Sequence, residues 1–161
     1  MCSSEQLDLS LLESLSDDLA EKWPNVKALE PNTPGHESFW SHEWTKHGTC
    51  SGMNQHDYFS KALSLLLPTP SIVKENYGSV VKREDLLAGY SYGVGNNDGT
   101  TAVFVCKYGY LSEVRVCFEK GEGGAPGERV NCNDSVVKED SCGDEIKIAS
   151  FDSARMTTAT E

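Results

Sequence analysis

A chain of 161 residues has the length of one domain and is long enough to bury a core. Lys and Arg number 14 against 25 Asp and Glu, so the formal net charge is −11. That excludes a scaffold that grips nucleic acid through surplus basic residues, though not an enzyme that holds it briefly. The hydrophobic content of 38% argues against wholesale disorder, and no apolar run approaches the length of a membrane span.

The elements follow in chain order. Leu12, Leu15, Leu19 and Trp23 recur at helical spacing, so residues 7–23 are expected to form an amphipathic helix. Ser10 and Glu13 could close a capping box at its start, and Pro24 ends it. Residues 25–37, with Pro31, Pro34 and Gly35, read as a loop. A second helix is expected over 38–47, closed by Gly48 at C′, and a third from Asp57 towards Pro68. Prolines interrupt 68–80, and 82–87 could supply a short helix before a glycine-rich stretch at 93–99. Residues 101–107 and 111–119 alternate as strands with a hairpin at Tyr108-Gly109. A glycine-rich loop at 121–127 and a strand at 145–151 follow. Helices first and antiparallel strands later indicate an α+β fold without internal repeat. Residues 1–150 are expected to form the domain and 151–161 a flexible tail.

Six cysteines (Cys2, Cys50, Cys106, Cys117, Cys132 and Cys142) are spread along the chain, with no C-x-x-C pair. Zinc ribbons and thioredoxin-type sites need that close spacing, so three disulfides in an oxidising compartment are the better reading. Six cysteines allow fifteen pairings. Asn133-Asp134-Ser135 is a sequon, a candidate glycosylation site that agrees with a secretory route, whereas Met1-Cys2-Ser3-Ser4 is no signal peptide.

All four histidines (His36, His42, His47 and His56) fall within 21 residues. At roughly 100° per residue, Phe39, His42, Glu43, Lys46 and His47 share one helical face of about 140°. Trp40 and Trp44 fall beside it, where they can anchor the helix in a core. A metal site is disfavoured: the histidines stand five apart in H-E-x-x-x-H, metalloprotease helices place them at i and i+4, and Lys46 would repel a cation. A solvated helix face is the bland reading. The third is acid–base chemistry on an anionic transition state, with imidazoles moving protons and a lysine neutralising charge. Residues 36–61 carry three carboxylates, two lysines and four histidines: net −1 with the imidazoles neutral and +3 with all protonated.

Phe39-Trp40-x-His42-Glu43-Trp44-x-Lys46-His47-Gly48-Thr49-Cys50 resembles the second active-site segment of the ribonuclease T2 family, which includes S-like and self-incompatibility ribonucleases of plants. Lys22-Trp23-Pro24, Tyr58-Phe59-x-x-Ala62-Leu63, Val105-Cys106, Val114-Arg115-Val116-Cys117-Phe118, Cys132 and Cys142-Gly143 extend the resemblance over residues 2–148. It implies an antiparallel sheet flanked by helices and the disulfides Cys2–Cys50, Cys106–Cys142 and Cys117–Cys132. It also implies RNA as substrate, with no DNA, membrane, metal or cofactor, and a monomer of the secretory pathway. By position, His47 would be the general base. Lys46 and Glu43 would stabilise the phosphorane, His42 would hold the phosphate, and Phe39 with Trp40 would form the substrate-binding surface.

The family carries a second segment, His-Gly-Leu-Trp-Pro, whose histidine protonates the leaving oxygen, and these 161 residues do not contain it. The expectation is therefore a chain lacking the N-terminal strands and first active-site segment, impaired or inactive by itself. His36 and His56 read as loop histidines that do not fill the vacancy. The alternative is a catalytically dead secreted relative with a binding, storage or defence role.

Overall fold

A computed structural model of the chain describes residues 2–25, 35–91, 93–94, 100–121 and 125–150. The predicted tail at 151–161 lies outside the described residues, as do most of the predicted loop at 25–37 and parts of the two glycine-rich stretches. The described residues form two compact units, one within 2–67 together with 120–126, the other within 68–119 together with 127–150.

The first unit is helical. Its opening amphipathic run divides into a 3₁₀ segment, Leu9–Leu15, and α1, Ser16–Lys22. The predicted capping box does not form. Asp8 caps instead, its Oδ1 accepting from Ser10 N at 3.0 Å and from Ser10 Oγ at 2.7 Å, because a carboxylate is the stronger acceptor for both donors. Helix α2 spans His36–Lys46 and α3 spans Gln55–Ser64. The third helix starts two residues earlier than Asp57 because Asn54 Oδ1 accepts from Asp57 N at 2.8 Å and so caps it. Leu12, Leu19, Trp40, Trp44 and Phe59 form the core, with Trp23, Phe39, Tyr58 and Leu63 packed around them. Trp23 and Phe59 meet at 5.7 Å between ring centroids, Trp44 and Tyr58 also at 5.7 Å. Aromatic rings thus carry most of the apolar burial here.

The second unit holds a four-stranded sheet. Its elements are α4 (Ser71–Lys74), β1 (Val80–Lys82), α5 (Arg83–Tyr90), β2 (Val103–Lys107), β3 (Tyr110–Arg115), α6 (Asp134–Val137) and β6 (Glu145–Lys147). The strand order is β1-β6-β3-β2. Pairs β1–β6 and β2–β3 are antiparallel, while β3 meets β6 in parallel at Tyr110↔Lys147. Strands β2 and β3 are joined through Tyr108 (φ 52°) and Gly109 (φ 81°). Two positive φ values in a two-residue loop are the type I′ pattern, which matches the right-handed strand twist. Holding a tyrosine there costs about 1 kcal/mol. The core comprises Val73, Val81, Leu86, Ala102, Phe104, Ile146 and Ile148.

The predicted strand at 111–119 is two strands in different sheets: β3 ends at Arg115, and β4 (Cys117–Lys120) pairs with β5 (Pro126–Val130) as a separate ribbon. Strand β5 escapes a propensity reading because Pro126, Gly127 and Glu128 are all depleted in strands. Gly127 lies close against the exposed Glu119 side chain, whose Cγ would be 2.8 Å from a Cβ there and would have to swing aside. Disulfides join Cys2–Cys50, Cys106–Cys142 and Cys117–Cys132, with Cα separations of 5.0, 5.1 and 5.2 Å. Around the second, the Arg83 guanidinium pairs with Asp140 while Arg83 Nη1 donates to Cys142 O at 2.9 Å. Burial pushes the Asp140 carboxyl up. The Arg83 hydrogen bond, the Phe104 and Cys142 N–H donors and the Arg83 charge outweigh it and hold the group below its ordinary value. The fold is α+β with three disulfides.

Candidate active site

Helix α2 is built to present one face and bury another. Glu37 in its first turn and Lys46 in its last both complement the helix dipole. Trp40 and Trp44, one turn apart, are 6% and 1% exposed and hold the helix on the core. The intervening stripe faces solvent: His42 and Lys46 are exposed, Glu43 is half-buried, and His47 is the exposed C-cap. His47 N still donates to Glu43 O at 2.9 Å, so the imidazole leaves from the last helical hydrogen bond. Among the described residues, no hydrogen bond or ion pair engages the side chains of His42, Glu43, Lys46 or His47. Glu43 acts on Tyr58 of α3, whose hydroxyl is pushed up by burial first and by the Glu43 charge second.

The backbone beneath these side chains is held firmly. Gly48 follows at C′ as expected, but it is not among the glycines with positive φ. Its need is steric, because a Cβ at Gly48 would lie 2.2 Å from Trp44 Cε3. The chain therefore rests directly on the indole immediately after His47. A short 3₁₀ turn, Gly48–Cys50, then leads into the Cys2–Cys50 bond. Thr49 Oγ1 donates back to Thr45 O at 3.1 Å, and Ser51 Oγ to Gly48 O at 2.6 Å. The result is a fixed turn carrying free, titratable side chains.

Trp40 lies largely in the core, its Nε1 donating to Trp23 O at 3.0 Å and its ring stacked on His36 at 5.8 Å, and what remains of it lines a cavity with Leu9, Glu13 and Glu37. Phe39 is half-buried with its ring edge-to-face on Trp23 at 6.2 Å, leaving part of it open. His36 and His56 are helical rather than loop residues. His36 opens α2 and its Nδ1 accepts from Asn25 N at 2.9 Å, while His56 lies in the first turn of α3 with its Nε2 3.3 Å from Ser14 Oγ. His56, on α3, is not part of the α2 stripe, and His36 stands two turns before Glu43 on the same helix.

Gln55 escaped the sequence reading. Only 4% exposed, it accepts from Asp8 N at 2.7 Å and donates to Gln6 O at 3.0 Å and Glu5 Oε1 at 2.7 Å. It thereby clamps the segment that runs from Cys2, and no local pattern signals a partner 47 residues away. Among the described residues, no three His, Cys, Asp or Glu side chains gather as a metal site.

The sequence profile of the ribonuclease T2 family matches residues 1–132. The chain belongs to the ribonuclease T2 family. It is 32% identical to the intracellular ribonuclease LX of Solanum lycopersicum over 133 residues, covering 82% of this chain and 45% of that protein. It is 31% identical to ribonuclease DdI of Dictyostelium discoideum over 130 residues, covering 74% and 54%. The chain thus spans about half the length of these two relatives. A ribonuclease MC1 mutant solved with 5'-GMP superposes with a TM-score of 0.63 at 24% identity, over 91% of this chain and 74% of that one. Ribonuclease NT solved with 5'-AMP gives 0.63 at 23% identity, over 93% and 74%. At that identity the likeness establishes the T2 fold for this family member. Within the described residues, no helix is long and apolar enough to cross a membrane.

Proposed function

We propose that the solvent-facing stripe at the C-terminal end of α2 is the phosphate-handling site of a metal-independent endoribonuclease. The observation that carries this is the set of four unengaged side chains, His42, Glu43, Lys46 and His47, on a turn whose backbone is fixed by Trp44 and by Cys2–Cys50.

His47 takes the proton from a ribose 2′-hydroxyl, and the resulting oxyanion attacks the adjacent phosphorus. Negative charge grows on the phosphorane oxygens, where the Lys46 ammonium neutralises it and Glu43, when it carries a proton, donates a hydrogen bond. His42 holds a phosphate oxygen, and the open part of Phe39 stacks on a base. Departure of the 5′-oxygen leaves a 2′,3′-cyclic phosphate, which water then opens. DNA lacks the attacking hydroxyl and is not cut. The His-Gly-Leu-Trp-Pro segment, which would protonate the leaving oxygen, does not occur within these residues. Assayed by itself, the 161-residue chain should therefore run about 10²–10⁴ slower than a form that has such a donor.

The same reading places the protein in the secretory pathway as a monomer. Three disulfides support that route, as does Asn133, whose Oδ1 caps α6 by accepting from Ser135 N at 3.1 Å and Val136 N at 3.3 Å. The cap uses only the oxygen, so a glycan on Nδ2 is compatible with the fold. The deciding experiment is digestion of RNA in excess chelator by the chain and by His47→Ala, with quantification of cyclic-phosphate ends. Cyclic ends that vanish in the variant are expected. Ends of another type, or activity that the chelator removes, would refute the reading.

A further inference from the structure

The end of the sheet beside the β2–β3 turn has a composition that neither the core nor the α2 site explains. The registers Val80↔Lys147, Tyr110↔Lys147 and Lys107↔Tyr110 set one residue from each strand side by side across all four strands. Paired residues share a sheet face. On β6 the core face belongs to Ile146, buried between exposed Glu145 and Lys147, so the row Val80, Lys147, Tyr110, Lys107 looks outward. Val80 is 50% and Tyr110 41% exposed, and Tyr108 at the turn is 86% exposed. Lys147 Nζ lies 5.8 Å from the centroid of the Tyr110 ring. Lys107 extends into solvent with Glu113 Oε1 3.5 Å from its Nζ. The row itself contains two lysines and no carboxylate, in a chain of net charge −11.

Tyr108 adds a second observation. It occupies a left-handed backbone position, φ 52°, where Asn, Asp or Gly relieves strain. A bulky aromatic kept there is 86% exposed and stands outside the core.

We propose that this hairpin end is a contact surface for single-stranded RNA: unpaired bases stack on Tyr108 and Tyr110, and Lys107 and Lys147 face the phosphates between them. Flat π-faces interleaved with ammonium groups are the two elements of sequence-tolerant single-strand binding. A protein partner would call for a continuous aliphatic patch, and Val80 is the row's single aliphatic residue. The inference rests on RNA being the substrate and adds a place, separate from the reacting phosphate, at which a long strand is held.

The test uses the whole chain and a 2′-O-methyl oligoribonucleotide of about 12 nucleotides, which binds without being cut. Its affinity is measured by fluorescence anisotropy at low salt for the unaltered chain, Tyr108→Asn with Tyr110→Ser, and Lys107→Glu with Lys147→Glu. Each paired variant should lose about tenfold or more in affinity. Tyr108→Asn alone should keep or raise the melting temperature, because asparagine suits the turn, so its loss of binding cannot be ascribed to unfolding. Unchanged affinity in the tyrosine pair overturns the proposal, and so does equal binding of polyglutamate or a heparin-like polyanion, which would leave charge alone. Cleavage of a dinucleoside monophosphate separates the two readings, since it fills only the α2 site. Oligonucleotide binding that depends on the tyrosines upholds the hairpin surface whether the dinucleotide is cut quickly or only slowly. Cleavage with tyrosine-independent binding would sink the hairpin surface and leave the enzyme standing.

Discussion

His47 is anchored through its neighbours: Gly48 lies against the Trp44 indole, and Cys50, three residues on, is tied to Cys2. A Gly48→Ala change forces the chain off the indole and should cost about 1–3 kcal/mol in urea unfolding, with cleavage falling alongside. Lys46→Ala, by contrast, alters an exposed and unengaged side chain. It should leave the unfolding midpoint within about 0.5 kcal/mol of the parent while reducing cleavage by about two orders of magnitude or more. Equal losses of stability and activity in Lys46→Ala would contradict its assignment to the phosphate. Asp140 gives a pH signature. Its folded-state value lies below the ordinary 3.8, so its contribution is complete above that value and disappears as pH falls through the lower one. The urea midpoint of the parent should therefore drop with pH below about 4, and that of Asp140→Asn should be lower at neutrality and flatter in acid.

At the scale of elements, how well a segment could be read depended on its length and on whether its partners were local. Helix α2 was legible because tryptophans at i and i+4 mark its buried stripe and leave His42, Glu43 and Lys46 on the other. The β2–β3 hairpin was legible because alternation runs on both sides of Tyr108-Gly109. Strand β1 and helices α4 and α6 have only three or four residues each, too few to show a period. Their stability comes from neighbours distant in sequence, such as Ile146 beside Val81. The helical wheel set Trp40 beside the stripe as a core anchor, and there it is buried; its substrate-binding role came from the family resemblance alone. The Gln55 clamp and the Cys2–Cys50 bond restrain the same N-terminal segment. Gln55→Leu should speed hydrogen exchange at residues 5–8 with the disulfide intact, and Cys2→Ser with Cys50→Ser should destabilise the chain by about 4 kcal/mol on the chain-entropy estimate.

At the scale of the molecule, the proposed function asks an acidic chain to handle a polyanion through small local exceptions to its net charge. The segment 36–61 reaches +3 only when its histidines are protonated. Affinity for the uncleavable oligonucleotide should fall steeply with salt. The claim on which everything else depends is that the α2 stripe transfers RNA phosphate without metal. Its most direct test is to isolate the protein from its natural source, incubate it with RNA in excess chelator, and count 2′,3′-cyclic-phosphate ends against a His47→Ala form. Cyclic ends that form with chelator present and disappear with His47 are the predicted result. No cyclic ends above the uncatalysed background, or undiminished formation without His47, would contradict the account.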